Sequence, residues 1–346
     1  MSESGGEDQK LLDEDHELNH GGDLGAARRR FPGAPEPFID LSTGINPYPY
    51  PVPRLVPDIF ARLPSPAELQ RLARVAASAY GAPSEDHVVP VPGTQIVLPM
   101  VARLVPPDRA MVLAPGYAEH ARAAALAGHK VEVASRLDET GAAALVIIAN
   151  PNNPDGRLFA QSDLLGLAAE LRRRRGLLVV DEAFMDVGPP GLSLAPDVDD
   201  TNIVVLRSFG KFFGLAGARL GFALAPPPLA RKIAATLGPW AVSGPALAVG
   251  IRALADKAWI DRTRARLDTS AQRLDAILAD LALPLVGGTS LFRLVQTPAA
   301  NALFQHLGEA GIWVRAFAEH PKWLRFGLPG NEAAWKRLKA ALVAFW

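Results

Sequence analysis

Lys211 stands in a glycine-rich segment whose spacing suggests a specific chemistry. A serine, Ser208, lies three residues before it, and an arginine, Arg219, lies eight residues after it. A lysine amine is a nucleophile that forms Schiff bases with carbonyl compounds. The neighbouring hydroxyl and guanidinium are groups that bind phosphate. The segment therefore predicts a lysine that holds a phosphorylated aldehyde cofactor.

A second phosphate-binding element is predicted after the apolar run at 87–91. Gly93, Thr94 and Gln95 follow this run and open a helical pattern. The free N–H groups at a helix N-terminus form a site for phosphate. A Gly-Thr pair in this position can equally be an ordinary helix cap, so the motif by itself leaves both interpretations open.

Three further side chains could surround the ring of a planar cofactor. Asn153 lies in a loop rich in Asn and Pro, where its amide could donate to a ring oxygen or form only an Asx turn. Asp181 ends an apolar run and could pair with a protonated ring nitrogen, which would make the ring an electron sink. A cap or a salt bridge is its alternative role. Tyr117 could stack on the ring or serve only in packing.

Two arginines near the C-terminus are candidates for binding a substrate. Arg325 lies in the last apolar strand pattern, and Arg315 lies ten residues earlier. A guanidinium can hold a carboxylate through two parallel hydrogen bonds. For Arg325 the alternative is a surface salt bridge. Arg315 could reach the same cleft.

The elements that must position these residues alternate along the chain. Short apolar runs lie at 87–91, 110–114, 145–149, 177–181, 203–206 and 220–224, and helical patterns separate several of them. This alternation predicts βαβ units and an α/β fold with a mostly parallel central sheet. Ligands bind beyond the carboxyl ends of such strands, which is where the candidate residues fall.

A proline break at 226–228 precedes a smaller α+β domain. We expect one long helical stretch over 229–280, and then strands near 286–295, 312–315 and 323–328. The predicted organisation is a flexible tail over 1–18, a segment over 19–50 that joins the small domain and the active site, a large cofactor-binding domain over 51–235 and a small domain over 236–346.

The composition limits which classes of partner the protein is expected to bind. The 346 residues carry 36 basic and 36 acidic side chains, so no positive field favours nucleic acid or a membrane surface. The absence of cysteine excludes disulfides and cysteine-based zinc sites, and no metal site is expected. The sequence shows neither a signal-peptide pattern nor a membrane-spanning run. A small-molecule partner and a cytoplasmic location are the expectation.

Taken together, these residues resemble fold-type I pyridoxal-phosphate (PLP) enzymes of the aspartate aminotransferase family, over about residues 20–346. The resemblance implies Lys211 as the Schiff-base lysine and Asp181 as the partner of the pyridine nitrogen. It implies stacking for Tyr117, a ring-hydroxyl contact for Asn153, cofactor binding for Gly93, Thr94, Gln95, Ser208 and Arg219, and the substrate α-carboxylate for Arg325. Related enzymes place their sites at a subunit interface, so a homodimer is expected by analogy.

The chain departs from many of these relatives at two places. Phe184 stands where many carry a tyrosine three residues after the aspartate. The segment at 62–66 reads Arg-Leu-Pro-Ser-Pro, where many carry a Tyr-Pro pair in the part that crosses to the partner subunit. At both places the chain lacks a tyrosine that many of these relatives have, so the usual set of aminotransferase contacts is not expected to be complete.

The N-terminal part resembles the threonine-phosphate decarboxylase branch used in cobalamin synthesis, which is close to histidinol-phosphate aminotransferase. The segments that carry this resemblance are His20-Gly21-Gly22-Asp23 and Gly44-Ile45-Asn46-Pro47. It implies decarboxylation of L-threonine O-3-phosphate to (R)-1-amino-2-propanol O-phosphate. The candidates for binding this substrate are His20, Gly21, Gly22, Asn46, Asn153, Arg315 and Arg325. His20 could equally be a surface histidine.

Two other functions remain open from the sequence. An aminotransferase acting on histidinol phosphate or a related amino acid would use Lys211 to abstract the α-hydrogen, and it would require 2-oxoglutarate. A non-catalytic PLP-binding module would be expected to lack the lysine or the aspartate, yet Lys211 and Asp181 are both present.

Overall fold

The computed structural model describes residues 21–346, which form two compact units. The first comprises Tyr50–Asn153 and Arg157–Trp259, and the second comprises the described residues up to Pro49, Pro154–Gly156 and Ile260–Trp346. Neither unit is one continuous piece of chain. The predicted tail over 1–18 and the candidate His20 lie outside the described residues.

Strands and helices are numbered in chain order. The strands are β1 (Ile39–Leu41), β2 (Val88–Val91), β3 (Arg109–Leu113), β4 (Lys130–Ala134), β5 (Leu145–Ala149), β6 (Leu177–Asp181), β7 (Ile203–Ser208), β8 (Gly221–Leu224), β9 (Leu285–Thr289), β10 (Phe292–Gln296), β11 (Ile312–Ala316) and β12 (Trp323–Gly327). The α-helices are α1 (Leu24–Arg30), α2 (Asp58–Ala61), α3 (Pro66–Tyr80), α4 (Thr94–Ala102), α5 (Glu119–Leu126), α6 (Gln161–Arg173), α7 (Phe209–Phe212), α8 (Pro227–Leu237), α9 (Gly244–Ala255), α10 (Lys257–Asp280), α11 (Ala300–Glu309) and α12 (Glu332–Phe345).

The first unit contains the predicted α/β sheet. Its strand order is β2-β8-β7-β6-β5-β3-β4, and only β8 runs antiparallel to its neighbours. Strands β5 and β6 are buried at every position, as expected for parallel strands covered on both faces. The prediction of an α/β fold with a mostly parallel sheet is confirmed.

Strand β4 is an element that the apolar runs did not indicate. It pairs with β3 at the edge of the sheet. Its sequence alternates between charged and apolar residues, and only its last residue is buried. An edge strand is covered less completely than a central one, so it lacks the continuous apolar signal of β5 and β6.

The prediction of one helical stretch over 229–280 is wrong, because three helices occupy this region. Gly238, with φ +73°, and Pro239 follow α8 and end it. Ser243 then caps α9 by accepting a hydrogen bond from the backbone N–H of Ala246. Helices α8 and α9 pack on α3, α4 and β2 of the first unit. For that reason the first unit extends to Trp259 and not only to residue 235.

The second unit is built on a smaller sheet with the order β1-β11-β12-β10-β9. Strand β1 comes from the segment over 19–50, and it pairs in parallel with β11. The other neighbours are antiparallel, so this unit is α+β, as expected. Across residues 21–346, no helix combines the length and the apolar character that crossing a bilayer requires.

Candidate active site

Lys211 lies on the short helix α7, directly after β7. The phenylalanines around it, Phe209, Phe212 and Phe213, are buried, and Phe209 stacks on Phe213 with ring centroids 4.5 Å apart. These anchors hold the turn in place while the lysine remains partly exposed. Its Nζ atom lies 5.7 Å from the ring centroid of Phe184.

A cavity of about 180 Å³ surrounds Lys211 in the first unit. All nine residues predicted to contact a cofactor line it: Gly93, Thr94, Gln95, Tyr117, Asn153, Asp181, Ser208, Lys211 and Arg219. Phe184, Ala216 and Leu220 complete much of the remaining wall. The structure thus gathers the predicted residues at one place, and their contacts with a cofactor stay a prediction.

Strand direction explains why these residues meet. Strands β2, β3, β5, β6 and β7 all point toward the same edge of the sheet, and the candidate residues end or follow these strands. Arg219 instead precedes β8, which runs the opposite way, and so it reaches the same edge. The arrangement follows the general rule that ligands bind beyond the carboxyl ends of parallel strands.

One end of the cavity is suited to phosphate. Gly93 forms the N-cap of α4 with φ +85°, and a Cβ atom at this position would lie 2.6 Å from Nη2 of Arg219. Glycine therefore lets the guanidinium approach the helix N-terminus closely. The first-turn N–H groups, the hydroxyls of Thr94 and Ser208, and the guanidinium form a donor set that fits a phosphate group.

Asp181 is held by donors on both carboxylate oxygens. Its Oδ2 lies 2.9 Å from Nε2 of His120, and its Oδ1 accepts a hydrogen bond of 3.1 Å from the backbone N–H of Ala183. His120 is 1% exposed. A carboxylate fixed in this way fits the role of partner to a protonated ring nitrogen, because its orientation does not depend on the ligand.

His120 was not identified from the sequence. It lies three residues after Tyr117, on the first turn of α5, and the two rings meet edge to face with centroids 5.4 Å apart. The histidine therefore contacts both the predicted stacking residue and the predicted ring-nitrogen partner. The sequence shows only that His120 lies close after Tyr117. It gives no indication that His120 contacts Asp181.

Buried polar groups shape the loop that carries Asn153. Asn152 donates its side-chain amide to the carbonyl of Pro115 at 2.8 Å. Asn150 accepts a hydrogen bond of 3.0 Å from the backbone N–H of Phe159 through its Oδ1. The neighbouring asparagines thus have structural roles, which leaves Asn153 as the member of the loop that lines the cavity.

A buried ionic cluster joins β6 to β7. Arg207 lies 3.0 Å from Glu182 and 2.9 Å from Asp186. Burial raises the pKa of Glu182, although Arg207 and Ser193 oppose this effect. Because Glu182 follows Asp181 and Arg207 precedes Ser208, the cluster fixes the ends of two strands that carry cavity residues. Glu182 is therefore structural.

In the second unit, Arg315 and Arg325 lie directly opposite each other on β11 and β12. Arg325 is 6% exposed and donates to the carbonyl of Ser42 at 2.8 Å. Burial, followed by the charge of Arg315, lowers the pKa of the Arg325 guanidinium to about 9. A buried cation beside a second cation is favourable for binding an anion.

The N-terminal candidates surround the same serine. Gly22 donates its backbone N–H to Oγ of Ser42 at 2.8 Å, and a Cβ atom on Gly21 would lie 2.4 Å from the Ser42 carbonyl oxygen. Asn46 is buried, and its Oδ1 accepts from the N–H of Tyr48. Gly21, Gly22 and Arg325 thus meet at Ser42, which the sequence did not single out.

Comparisons with known proteins give matches along nearly the whole chain. The family model described as aminotransferase class I and II matches residues 65–342. A threonine-phosphate decarboxylase from Pseudomonas aeruginosa is 44% identical over 334 residues, which cover 95% of this chain and 98% of that protein.

Two solved structures are similar in fold. One is histidinol-phosphate aminotransferase from Sinorhizobium meliloti in complex with pyridoxal-5'-phosphate, with a TM-score of 0.80, 23% identity, and coverage of 93% of this chain and 94% of that one. The other is L-threonine-O-3-phosphate decarboxylase from Porphyromonas gingivalis, with a TM-score of 0.73, 19% identity, and coverage of 89% and 99%. At these identities the likeness shows the shared fold.

Proposed function

The chain belongs to the aminotransferase class I and II family, and from this premise we propose that it is a PLP-dependent decarboxylase. It converts L-threonine O-3-phosphate into (R)-1-amino-2-propanol O-phosphate and CO2, a product used for the nucleotide loop of cobalamin. The observation that carries the choice of reaction is the similarity, along nearly the whole chain, to a threonine-phosphate decarboxylase. The cavity around Lys211 supports the choice of cofactor.

In this proposal, different residues of the cavity hold different parts of PLP. The N-terminus of α4, Thr94, Ser208 and Arg219 bind its phosphate, and Tyr117 stacks on its ring. Asn153 donates to the ring oxygen. Asp181, fixed by His120 and by the N–H of Ala183, pairs with the ring nitrogen and keeps it protonated. When bound, PLP supplies an electron-poor ring that stabilises negative charge developing on the α-carbon of a substrate amine.

Lys211 has two roles. Its amine would hold the cofactor between turnovers, and once the substrate amine has displaced it, Nζ would serve as an acid toward the substrate. In decarboxylation the bond between the α-carbon and the carboxyl carbon breaks, and the electron pair stays with the α-carbon. Nζ of Lys211 delivers a proton to that carbon. CO2 is thus replaced by hydrogen, and no keto acid is consumed.

The choice between losing CO2 and losing the α-hydrogen depends on how the substrate is oriented. With PLP bound, the ring would stabilise the electron pair of whichever bond to the α-carbon the protein orients toward it. Groups that grip the carboxylate and the phosphate of the substrate therefore decide the reaction. We assign the carboxylate to Arg325 because of its bidentate donor geometry. Arg315, Gly21, Gly22 and Asn46 are the described candidates for the substrate phosphate.

A homodimer is part of this proposal. The first unit exposes several large apolar side chains, among them Val52, Val56, Phe60, Leu63 and Trp240. Where such groups form one continuous patch, the surface is typical of one that another protein covers. We expect light scattering on the purified protein to give about twice the mass of the chain. We also propose a cytoplasmic location, since the cofactor and the substrate are both anions that cross membranes poorly.

The proposal is tested with purified protein, PLP and L-threonine O-3-phosphate, in the absence of any keto acid. CO2 release and the formation of aminopropanol phosphate are followed together. We expect sustained turnover that is abolished in Lys211→Ala. The matched control is Lys232→Ala, which removes an exposed lysine of α8 and is expected to leave turnover unchanged.

The same experiment addresses the aminotransferase alternative. Histidinol phosphate and 2-oxoglutarate are supplied in place of L-threonine O-3-phosphate, and glutamate is measured. Glutamate formation without CO2 release from L-threonine O-3-phosphate would establish an aminotransferase. If neither reaction occurs while PLP still binds, the cofactor assignment stands and the substrate assignment is wrong.

A further inference from the structure

We propose that Gln95 is a positioning residue that fixes the ring of Tyr117 at the wall of the cavity. It does so by bridging the hydroxyl of Tyr117 to the carboxylate of Glu119, and not by touching the cofactor phosphate. The inference rests on the proposed binding of PLP in this cavity, and it adds a residue that controls how the stacking ring is oriented.

The bridge consists of two hydrogen bonds. The hydroxyl of Tyr117 donates to Oε1 of Gln95 at 2.9 Å, and Nε2 of Gln95 donates to Oε2 of Glu119 at 2.6 Å. An ionised carboxylate can only accept hydrogen bonds. The amide nitrogen must therefore face Glu119 and the amide oxygen must face the phenol. Tyr117 consequently acts as a donor in this bridge.

The far end of the bridge is firmly anchored. Glu119 is 5% exposed and lies in the first turn of α5, where a negative charge is favoured by the helix dipole. Arg122, one turn along the same helix, has its Nη1 atom 3.5 Å from the carboxylate. Gln95 itself lies in the first turn of α4. The amide therefore links the starts of two neighbouring helices.

The bridge and His120 restrain Tyr117 from different directions. Gln95 holds the hydroxyl, and His120 contacts the ring edge to face with the ring planes at 89°. A phenol ring held at two points has little freedom to rotate about its side-chain bonds. Loss of the amide removes the restraint at the hydroxyl and leaves the contact with His120.

A direct contact between Gln95 and the cofactor phosphate is the alternative, because Gln95 follows Gly93 and Thr94 on the phosphate-binding turn. Both ends of its amide, however, are already engaged, one by Tyr117 and the other by a buried carboxylate. Redirecting the amide nitrogen to phosphate would remove a hydrogen bond from the buried carboxylate of Glu119, which is costly. The observed contacts favour the indirect role.

The experiment compares Gln95→Leu, Tyr117→Phe and the double variant with the wild-type protein. The affinity for PLP is measured by titrating the apoprotein. The orientation of the cofactor ring, on which Tyr117 stacks in this proposal, is monitored by the visible circular dichroism of the bound cofactor. We expect each single variant to weaken PLP binding by about 2- to 12-fold, the range for one neutral hydrogen bond. The double variant is expected to be no weaker than the poorer single variant, because both changes break the same bridge.

Two further measurements separate positioning from a direct contact and from a purely structural effect. Inorganic phosphate binding to the apoprotein is expected to be the same in wild type and Gln95→Leu, whereas a direct contact predicts weaker binding in the variant. The exchanged pair Gln95→Glu with Glu119→Gln rebuilds the bridge, since the introduced carboxylate can accept from both Tyr117 and the introduced amide. The introduced carboxylate lies on the phosphate-binding turn and weakens PLP binding in both variants, so the dichroism is compared at saturating PLP. We expect the pair to recover the dichroism of the wild type under these conditions, and Gln95→Glu alone not to.

The outcomes separate the two proposals. If wild type binds PLP while Gln95→Leu matches it in affinity and dichroism, the positioning role is wrong and the proposed function stands. If Gln95→Leu weakens inorganic phosphate binding as much as PLP binding, the role is a direct one and this inference is overturned. If wild type fails to bind PLP, the proposed function falls and this inference falls with it. Should Gln95→Leu fold poorly, Tyr117→Phe and the exchanged pair provide the same test.

Discussion

Replacing His120 with phenylalanine should separate the orientation of Asp181 from the packing of the cavity wall. Phenylalanine keeps a planar ring that can meet Tyr117 edge to face. It removes the Nε2 donor that lies 2.9 Å from Oδ2 of Asp181. The carboxylate would then keep the N–H of Ala183 as the donor on its other oxygen.

The size of the effect follows from the kind of bond that is lost. A hydrogen bond to a charged group contributes about 1.5–3 kcal/mol, which corresponds to about a 10- to 150-fold change in a rate or binding constant. We expect decarboxylation by His120→Phe to fall within this range. We also expect PLP to bind more weakly, because a less firmly held carboxylate is a poorer partner for the ring nitrogen.

The assay is steady-state CO2 release from L-threonine O-3-phosphate, measured together with PLP affinity and thermal unfolding. His87→Phe is the matched control, since His87 is also buried and also lies beside a carboxylate, that of Asp199 at 3.1 Å, but does not line the cavity. Its turnover should stay within about twofold of wild type. If Asp181→Ala abolishes turnover while His120→Phe is as active as His87→Phe, then His120 does not act through Asp181.

Three other variants test the phosphate end and the arginine pair. Gly93→Ala should weaken inorganic phosphate binding to the apoprotein at least tenfold, because the new Cβ would displace Arg219 and the φ of +85° disfavours alanine; unchanged binding would contradict this. Arg325→Lys should raise the KM for L-threonine O-3-phosphate about 10-fold or more, since lysine cannot form the bidentate contact, while the spectrum of bound PLP stays as in wild type. Arg315→Met should raise the free energy of unfolding by about 0.2–1 kcal/mol, because it removes a like charge directly opposite Arg325. The same variant should bind the substrate more weakly. If chemical denaturation shows that Arg315→Met is less stable than wild type, the two arginines do not repel each other.

The cofactor residues could be predicted because local patterns specify them. The spacing of Ser208, Lys211 and Arg219 indicates a function without knowledge of the fold. Asp181 ends a predicted strand and Tyr117 follows another, and the general behaviour of parallel sheets brings such positions to one edge. Neither step requires knowing which residues far apart in sequence touch each other.

The bonds that orient these residues could not be predicted in this way. His120 binds a carboxylate 61 positions further along the chain, and Gln95 bridges two residues more than 20 positions away. Lone polar residues of this kind carry no periodic signal. Ser42 was missed for a related reason, because its carbonyl meets Arg325 only after β1 has joined the smaller sheet.

The pairing of β1 with β11 has a consequence for the synthesis of the protein. Ile39 pairs with Ile312, so a ribosome adding about 5–20 residues per second makes the second partner roughly 14 to 55 s after the first. During that interval the polar backbone groups and apolar side chains of β1 have no native neighbour strand, and the ring of Phe31 lacks that of Phe304, whose centroid lies 6.0 Å away in the folded protein. Pairing between such distant segments is also slow to form. The strands of the first unit mostly follow one another closely in sequence, so this unit can assemble before β1 finds its partner strand.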